Sequence, residues 1–333
     1  MKKLFMLLLV AFAALCCVSC SDDDDDKNKD FPTEDPNDPN IVRTITLTVD
    51  TYSTVEFTLD NEKWYDRDYP EISVGKCPFP KDLSVDWGDG SVTSSNTHKY
   101  EISGKYNIVI SAKDLKWFSS DDNDITAIDV KGCNSLVGIQ LYGEDINSLD
   151  VAGFTELKYL YLNDNDHLRT LNIDGCDKLN YCYCMDGELE TLNIDDCKNL
   201  KILELRDNNL TELNIPKENQ LEGLGLSYNN IAALDVSHCS LLQRLYLVDN
   251  ELTSLDISQC PALFFLNCKG NEFDTDALNK IFTDLPQGKE ITEEYNPNDI
   301  RHSTIYIGGN PGTETCDKSI AENKGWIVID EYR

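Results

Sequence analysis

Residues 189–209 read LETLNIDDCKNLKILELRDNN, and this stretch contains the pattern that organises most of the chain. From Leu200 to Asn208 the apolar residues follow the spacing L-x-x-L-x-L, and an asparagine closes the unit. Alternation with period two is typical of a strand that buries one face. Seven such units follow one another, starting at residues 125, 146, 168, 189, 210, 231 and 252. This spacing predicts a solenoid of about seven 21-residue coils over residues 125–272.

The closing asparagine recurs in most of the units and is the most regular polar position of the repeat. It is present as Asn165, Asn208, Asn229, Asn250 and Asn271, whereas Glu144 and Gly187 replace it in the first and third units. The pattern L-x-x-L-x-L-x-x-N resembles the leucine-rich repeat. Together with the second half, L-x-x-L-[DN]-[VI]-x-x-C, it resembles surface leucine-rich-repeat lipoproteins and, more loosely, internalins. The resemblance implies an asparagine ladder that satisfies backbone groups between coils, with a weaker ladder at Glu144 and Gly187.

Ten of the thirteen cysteines follow the first 20 residues, and eight of these ten lie in the repeat. Cys182, Cys184 and Cys268 occupy leucine positions, and five others share one column: Cys133, Cys176, Cys197, Cys239 and Cys260. Phe154 takes that column in another unit, which favours a buried position, and we expect free thiols there because free cysteine behaves as a small hydrophobe.

Two other roles are possible for cysteines with this spacing. Disulfides between neighbouring coils are an alternative in an oxidising compartment, although side chains on adjacent parallel strands point the same way. A zinc site formed by Cys176, Cys182, Cys184 and Cys197 has no common zinc-motif spacing, so we expect no metal. Cys77 and Cys316 lie outside the repeat, and the sequence pattern indicates no role for them.

The segment 41–118 has the alternating pattern of short strands. Its stretch from Asp86 to Gly90 reads DWGDG and is followed by His98, Tyr100, Gly104 and Tyr106. This pattern resembles PKD-type, Ig-like β-sandwiches, in which the WGDG segment leaves a strand through a tight turn. A Ca²⁺ site at Asp86 and Asp89 is the alternative, but Ca²⁺ takes six to eight oxygen ligands, so turn chemistry is expected.

Residues 273–333 predict a small α/β cap at the end of the solenoid. Asp274 or Thr275 is suited to begin a helix, the apolar face consists of Leu278, Ile281 and Phe282, and Pro286 ends it. A strand, a short helix and a last strand are expected to follow. The predicted fold is therefore mainly β: an N-terminal Ig-like (PKD-like) sandwich, a leucine-rich-repeat solenoid and this cap.

The first 40 residues predict export and anchoring. Lys2 and Lys3 precede a short apolar run, as in a secretory signal peptide over residues 1–20. The segment from Val18 to Cys20 resembles the lipobox of bacterial lipoproteins, which implies lipidation of Cys20. The acidic run after it resembles the surface-export signal of Bacteroidetes lipoproteins, and residues 21–40 predict a disordered acidic stalk. The expected location is the outer membrane, anchored by lipid alone and exposed at the cell surface.

Charge and motifs exclude several classes of function. The net charge is −31, and no cluster of Lys and Arg is present, which argues against binding to nucleic acid. The sequence lacks the nucleophile-elbow, zincin, phosphate-loop and dinucleotide-binding motifs, and its four histidines are scattered. We therefore expect no catalytic residue, no cofactor and no enzymatic activity.

The residues between the inward leucines are predicted to face outward from the main sheet, the usual ligand face in the proteins that the repeat resembles. Five tyrosines fall in three consecutive units and form what we call the tyrosine patch: Tyr142, Tyr159, Tyr161, Tyr181 and Tyr183. Further candidate ligand-binding residues on this face are Arg206, Arg244, Tyr246 and Phe265. Tyrosines are typical of recognition surfaces, although cross-strand tyrosines also stabilise sheets without binding anything.

Three functions remain open from the sequence. The first is a surface-anchored binding or adhesion protein that presents its sheet to a host or bacterial surface protein. The second is a glycan-capture lipoprotein that uses the tyrosine patch, because aromatic rings stack on sugar faces. The third is a structural envelope protein without a soluble ligand.

Overall fold

The computed structural model describes residues 38–51, 53–60, 77–290 and 302–331. The predicted signal peptide, the lipidation site Cys20 and most of the acidic stalk lie outside the described residues. Within the described part of the chain, no helix has the length and apolar character needed to cross a membrane. The described residues from 38 onward belong to one compact unit.

The N-terminal part is built from two ten-residue strands and four shorter ones. They are β1 (Val42–Thr51), β2 (Thr54–Thr58), β3 (Lys81–Asp86), β4 (Val92–Thr93), β5 (Thr97–Lys99) and β6 (Gly104–Lys113). With β8 (Ile125–Asp129), four of them form a five-stranded sheet in the order β4-β3-β6-β1-β8. The alternating pattern over residues 41–118 therefore does form strands, as predicted.

The main sheet has twelve strands, and all except β2 and β5 run parallel. The parallel strands are β7 (Trp117–Asp121), β9 (Gly138–Tyr142), β11 (Tyr159–Tyr161), β13 (Tyr181–Tyr183), β14 (Ile202–Glu204), β15 (Gly223–Gly225), β16 (Arg244–Tyr246), β17 (Phe265–Asn267), β18 (Thr304–Tyr306) and β19 (Ile327–Ile329). The structure is thus a leucine-rich-repeat-like solenoid of about ten turns, three more than predicted. The extra turns are those of β7, β18 and β19.

An independent Ig-like sandwich is not confirmed. Strand β2 pairs antiparallel with β7, and β7 pairs parallel with β9, so the N-terminal strands continue directly into the solenoid sheet. The five-stranded sheet and the solenoid share one hydrophobic core, in which Trp87, Phe57 and Phe118 are fully buried. The predicted turn after β3 is present, with Gly88 and Gly90 at positive φ, and Asp86 and Asp89 accept hydrogen bonds from its backbone.

On the opposite side of the coils, regular strands form in β8 of the first predicted unit and in β10 (Ser148–Asp150) and β12 (Thr170–Asn172), of which β10 and β12 pair in parallel. In most coils an Asp or Asn side chain on this side accepts a hydrogen bond from the backbone N–H two residues later, as Asp129 does from Lys131 and Asp256 does from Ser258. These side chains therefore stabilise turns of the backbone.

The C-terminal part contains the predicted helix as α1 (Thr275–Asp284) and the short helix as α2 (Ser319–Glu322). The side chain of Asp274 accepts a hydrogen bond from the backbone N–H of Ala277 at 2.8 Å and begins α1. Leu278, Ile281 and Phe282 are buried. Because β18 and β19 add to the main sheet, this region completes two further turns of the solenoid.

The asparagine ladder holds neighbouring coils together. Asn208 Nδ2 donates to the carbonyl of Cys184 in the previous coil at 2.8 Å, and its Oδ1 accepts from Leu189 N at 3.0 Å. In the first predicted unit Glu144 keeps the accepting half of this role, since its Oε2 accepts from Ile125 N at 2.9 Å. In the third unit Gly187 has no side chain and therefore makes no ladder hydrogen bond of this kind.

Candidate functional site

The outer face of the parallel sheet carries the predicted ligand-binding positions. The register aligns Tyr159 with Tyr181 and Tyr161 with Tyr183, so the tyrosines of β11 and β13 lie side by side. Tyr142 ends the neighbouring strand β9. The structure therefore brings the five members of the tyrosine patch together on three adjacent coils.

A second hydrophobic cluster lies on this outer face, separate from the solenoid core. Its buried members are Cys77, Trp117, Tyr159, Tyr183 and Ile202, and Val137, Tyr161 and Tyr181 pack against them. The ring of Trp117 stacks on that of Tyr159 with a centroid distance of 5.7 Å and an interplanar angle of 19°. Gly138 lies between them in the register and has no side chain, which leaves room for this contact.

The tyrosines differ in exposure. Tyr159 and Tyr183 are 1% and 2% exposed, so their rings are packed inside the outer cluster. Tyr142, Tyr161 and Tyr181 are half-buried. The ring of Tyr161 lies 6.4 Å from that of Tyr142 and 5.8 Å from that of Tyr183. The patch therefore consists of buried rings that support half-buried ones.

The carboxylate of Asp164 gives the patch a polar margin. Its interaction with the hydroxyl of Tyr142 raises the pKa of that tyrosine to about 12.

Asp164 also belongs to a row of residues in the left-handed conformation. Each of them comes just before the ladder position of its coil, and we call this set the strand-exit row. Its members are Asp122, Gly143, Asp164, Asp186, Asp207, Tyr228, Asp249, Gly270 and Gly309.

The remaining candidates lie on the later coils. Arg244 and Phe265 are buried, and Tyr246 is half-buried with its ring 4.8 Å from that of Phe265. Phe265 also packs against Tyr306, at 5.7 Å, which makes a second aromatic group over β16, β17 and β18. Arg206 is exposed and pairs with Asp207, with 2.7 Å between Nε and the carboxylate.

The strand β15 separates the two aromatic groups and carries Gly223 and Gly225 on the outer face. A Cβ atom at Gly225 would lie 1.6 Å from an oxygen of Glu204, so the Glu204 carboxylate lies over that glycine. Gly225 therefore leaves space that a neighbouring side chain occupies.

The cysteines contribute packing. The ten described cysteines are free, and nine are buried, which confirms the prediction that the repeat cysteines lie inside. The Sγ of Cys176 donates to the carbonyl of Val151 at 3.2 Å. Burial raises the pKa of Cys184 and of Cys197 to about 12. Among the described residues, no group of three or more His, Cys, Asp or Glu side chains is placed to hold a metal ion.

Sequence reasoning missed Trp117, Tyr306 and the part that glycine plays on this face. Trp117 lies 21 residues before Gly138, so extending the period one coil toward the N-terminus would have found it. Tyr306 lies inside Ile305-x-Ile307-x-x-Asn310, the same pattern as in the repeat. The insertion that contains α1 separates this coil from the others and hides the period.

No protein-family model matches the chain, and no curated protein matches it. Among solved structures it is similar to the functional domain of InlJ from Listeria monocytogenes, which includes a cysteine ladder. The identity is 24% and the TM-score 0.42, over 67% of this chain and 50% of that chain. The chain thus spans about half the length of that domain.

Two other solved structures show a likeness. Internalin C2 from Listeria monocytogenes is 18% identical with a TM-score of 0.38, over 48% of this chain and 74% of that chain. A leucine-rich-repeat protein from Leptospira interrogans is 18% identical with a TM-score of 0.39, over 66% and 67%.

Proposed function

We propose that the protein is a non-enzymatic binding protein that presents the outer face of its parallel sheet to a protein partner. The observation that carries this proposal is the aromatic cluster on that face, outside the solenoid core. The outer face of a coil needs no aromatic cluster to bury its leucines, whereas a partner gains from rigid rings with polar ends. The half-buried rings of Tyr142, Tyr161 and Tyr181 form the contact, and the buried rings hold them in place.

The ring geometry favours a protein over a glycan. A sugar stacks on an open ring face, but one face of Tyr159 is occupied by Trp117, and Tyr159 and Tyr183 are buried. The rings of Tyr142 and Tyr161 are tilted by 34° to each other, so they make no common flat platform. A protein surface can follow such an uneven patch with its own side chains.

The described thiols give no support to a catalytic role. A cysteine nucleophile reacts as a thiolate, and burial raises the pKa values of the repeat cysteines well above neutral pH. The carboxyl group of Glu144 has a pKa raised to about 7 by burial, but it is occupied by hydrogen bonds from Ser120, Asn123 and Ile125. The Glu144 carboxylate therefore has a structural role.

We further propose that the chain is anchored in the outer membrane through a lipid on Cys20 and exposed at the cell surface. The lipobox-like segment from Val18 to Cys20 and the acidic run after it support this proposal. Metabolic labelling with an alkyne fatty acid should mark the wild type and leave Cys20→Ala unmarked. Protease added to intact cells should then degrade the protein, and full protection would contradict surface exposure.

The binding proposal is tested with the mature chain on arrays of extracellular-matrix proteins and of glycans. The double variant Tyr142→Ala, Tyr161→Ala should lose the protein signal at least about tenfold, as expected when two hot-spot aromatics are removed. The matched control Thr191→Ala, Thr211→Ala changes exposed residues on the opposite side of the coils and should bind as the wild type does. Equal binding of both double variants, or binding to glycans alone, would contradict the proposal.

A further inference from the structure

One position of the strand-exit row differs from the others. Eight of its nine members are Asp or Gly, residues that adopt the left-handed conformation readily, and the ninth is Tyr228, with φ of 57°. Every other described residue with positive φ that is not glycine is an aspartate. Tyr228 is thus a bulky residue in a conformation for which this chain otherwise selects small or Asx residues.

The fold gains little from the side chain of Tyr228. Its backbone N–H donates to the carbonyl of Val248 at 2.6 Å, a bond that Asp164 and Gly143 also make in their coils, so any residue suffices for it. The side chain is 45% exposed. Its ring contact is with the guanidinium of Arg206, whose Cζ lies 5.9 Å from the ring centroid. Strain retained at an exposed residue points to a role outside the fold.

Arg206 is held in place beside the ring. Its Nε lies 2.7 Å from the carboxylate of Asp207, and its terminal nitrogen lies 3.8 Å from that of Asp186. An exposed tyrosine beside an ordered arginine has the composition typical of interface hot spots. Because β-strands in a sheet lie about 4.8 Å apart, the row presents these groups at regular intervals across the coils.

We infer that Tyr228, whose ring lies beside Arg206, anchors a docking site for a basic segment of a partner protein. The inference rests on the proposed binding role and names the chemistry of the partner. Charge complementarity selects this occupant, since Asp164, Asp186, Asp207 and Asp249 flank the anchor and outnumber the one guanidinium beside it, in a protein of net charge −31. A lysine or arginine of the partner stacks on the ring of Tyr228, and the net negative charge of the strand-exit row attracts its basic neighbours.

The variant Tyr228→Asn tests this inference without changing the charge of the protein. Asparagine accepts the left-handed conformation, so the variant should unfold at the same temperature as the wild type or higher. The probe is a synthetic 12-residue peptide of alternating Lys and Gly, compared with its Glu counterpart at about 0.15 M salt, where exposed charges are screened. The Kd for the Lys peptide should rise about fivefold in Tyr228→Asn, the size of one exposed cation–π contact.

The matched control is Leu241→Asn, which removes an apolar side chain of similar exposure, 43%, away from the strand-exit row. It should leave the Kd unchanged. A lower unfolding temperature for Tyr228→Asn would show a structural role and overturn the inference. So would equal Kd values for Tyr228→Asn and the wild type, or no binding of the Lys peptide to the wild type. None of these results changes the array test of the tyrosine patch.

Discussion

The indole ring of Trp117 lies directly over Gly138 on the neighbouring strand. A Cβ atom on Gly138 would come within 1.9 Å of the ring, far inside contact distance. The missing side chain lets the indole reach Tyr159 two strands away and begin the outer aromatic cluster. A glycine with ordinary backbone angles is therefore required here for the space it leaves.

Substitution of Gly138 by alanine should destabilise the protein and disturb the outer cluster. The added methyl group forces the Trp117 ring away, and overpacking of this kind costs about 1–3 kcal/mol. Denaturant unfolding and the near-ultraviolet circular dichroism of the tryptophans measure both effects. The control is Gly104→Ala, where the nearest atom to an added Cβ is 3.9 Å away. Equal stability of the two variants would contradict this account of Gly138.

The asparagine ladder should tolerate alanine poorly. Asn229 Nδ2 lies within hydrogen-bond distance of the carbonyls of Leu205, Leu226 and Ser227, and its Oδ1 accepts from Leu210 N at 3.0 Å. Asn229→Ala leaves these buried backbone groups unpaired, and each such group costs about 1–3 kcal/mol. We expect a loss of at least ~2 kcal/mol in the free energy of unfolding. The exposed neighbour Asn230 provides the control, and an Asn230→Ala effect of the same size would show that the ladder bonds are not the cause.

The repeat was predictable from the sequence because the ladder position recurs at a fixed period. In most coils the same residue type, asparagine, fills it and bonds backbone groups of neighbouring coils. The burial of Tyr159 and Tyr183 was not predictable. Strand periodicity places both residues on the outer face but cannot show that Trp117 and Cys77 pack there, since both come from outside the recognised units. The two additional coils at the C-terminal end were missed for a related reason: the insertion with α1 interrupts the spacing before Ile305.

Stability should rise as the pH falls from about 8 to about 5, because of Glu144. Burial raises its pKa to about 7 from the usual 4.5, so between these values the folded chain binds a proton that the unfolded chain does not. The ionised form is therefore penalised above pH 7, by ~2–3 kcal/mol. Glu144→Gln keeps an acceptor for Ile125 N and cannot ionise. It should be more stable than the wild type at pH 8 and similar to it at pH 5.

The control for this prediction is Asp145→Asn, which removes a neighbouring exposed carboxylate. Unfolding free energies measured from pH 5 to pH 8 should show the same slope for Asp145→Asn as for the wild type, and a flatter slope for Glu144→Gln. If the slope for Glu144→Gln equals that of the wild type, other carboxylates cause the pH dependence of stability.

The repeat thiols should be unreactive in the folded protein. Burial raises the pKa of Cys133, Cys176 and Cys239 to about 11, so only about one thiol in a thousand is ionised at pH 8. Half-buried Cys316 should react first with a thiol reagent such as DTNB, and Cys316→Ser should remove that fast phase. In denaturant all ten thiols described as free should react. Rapid modification of several thiols in the folded wild type, or fewer than ten reactive thiols after unfolding without reductant, would contradict the picture of buried, unpaired cysteines.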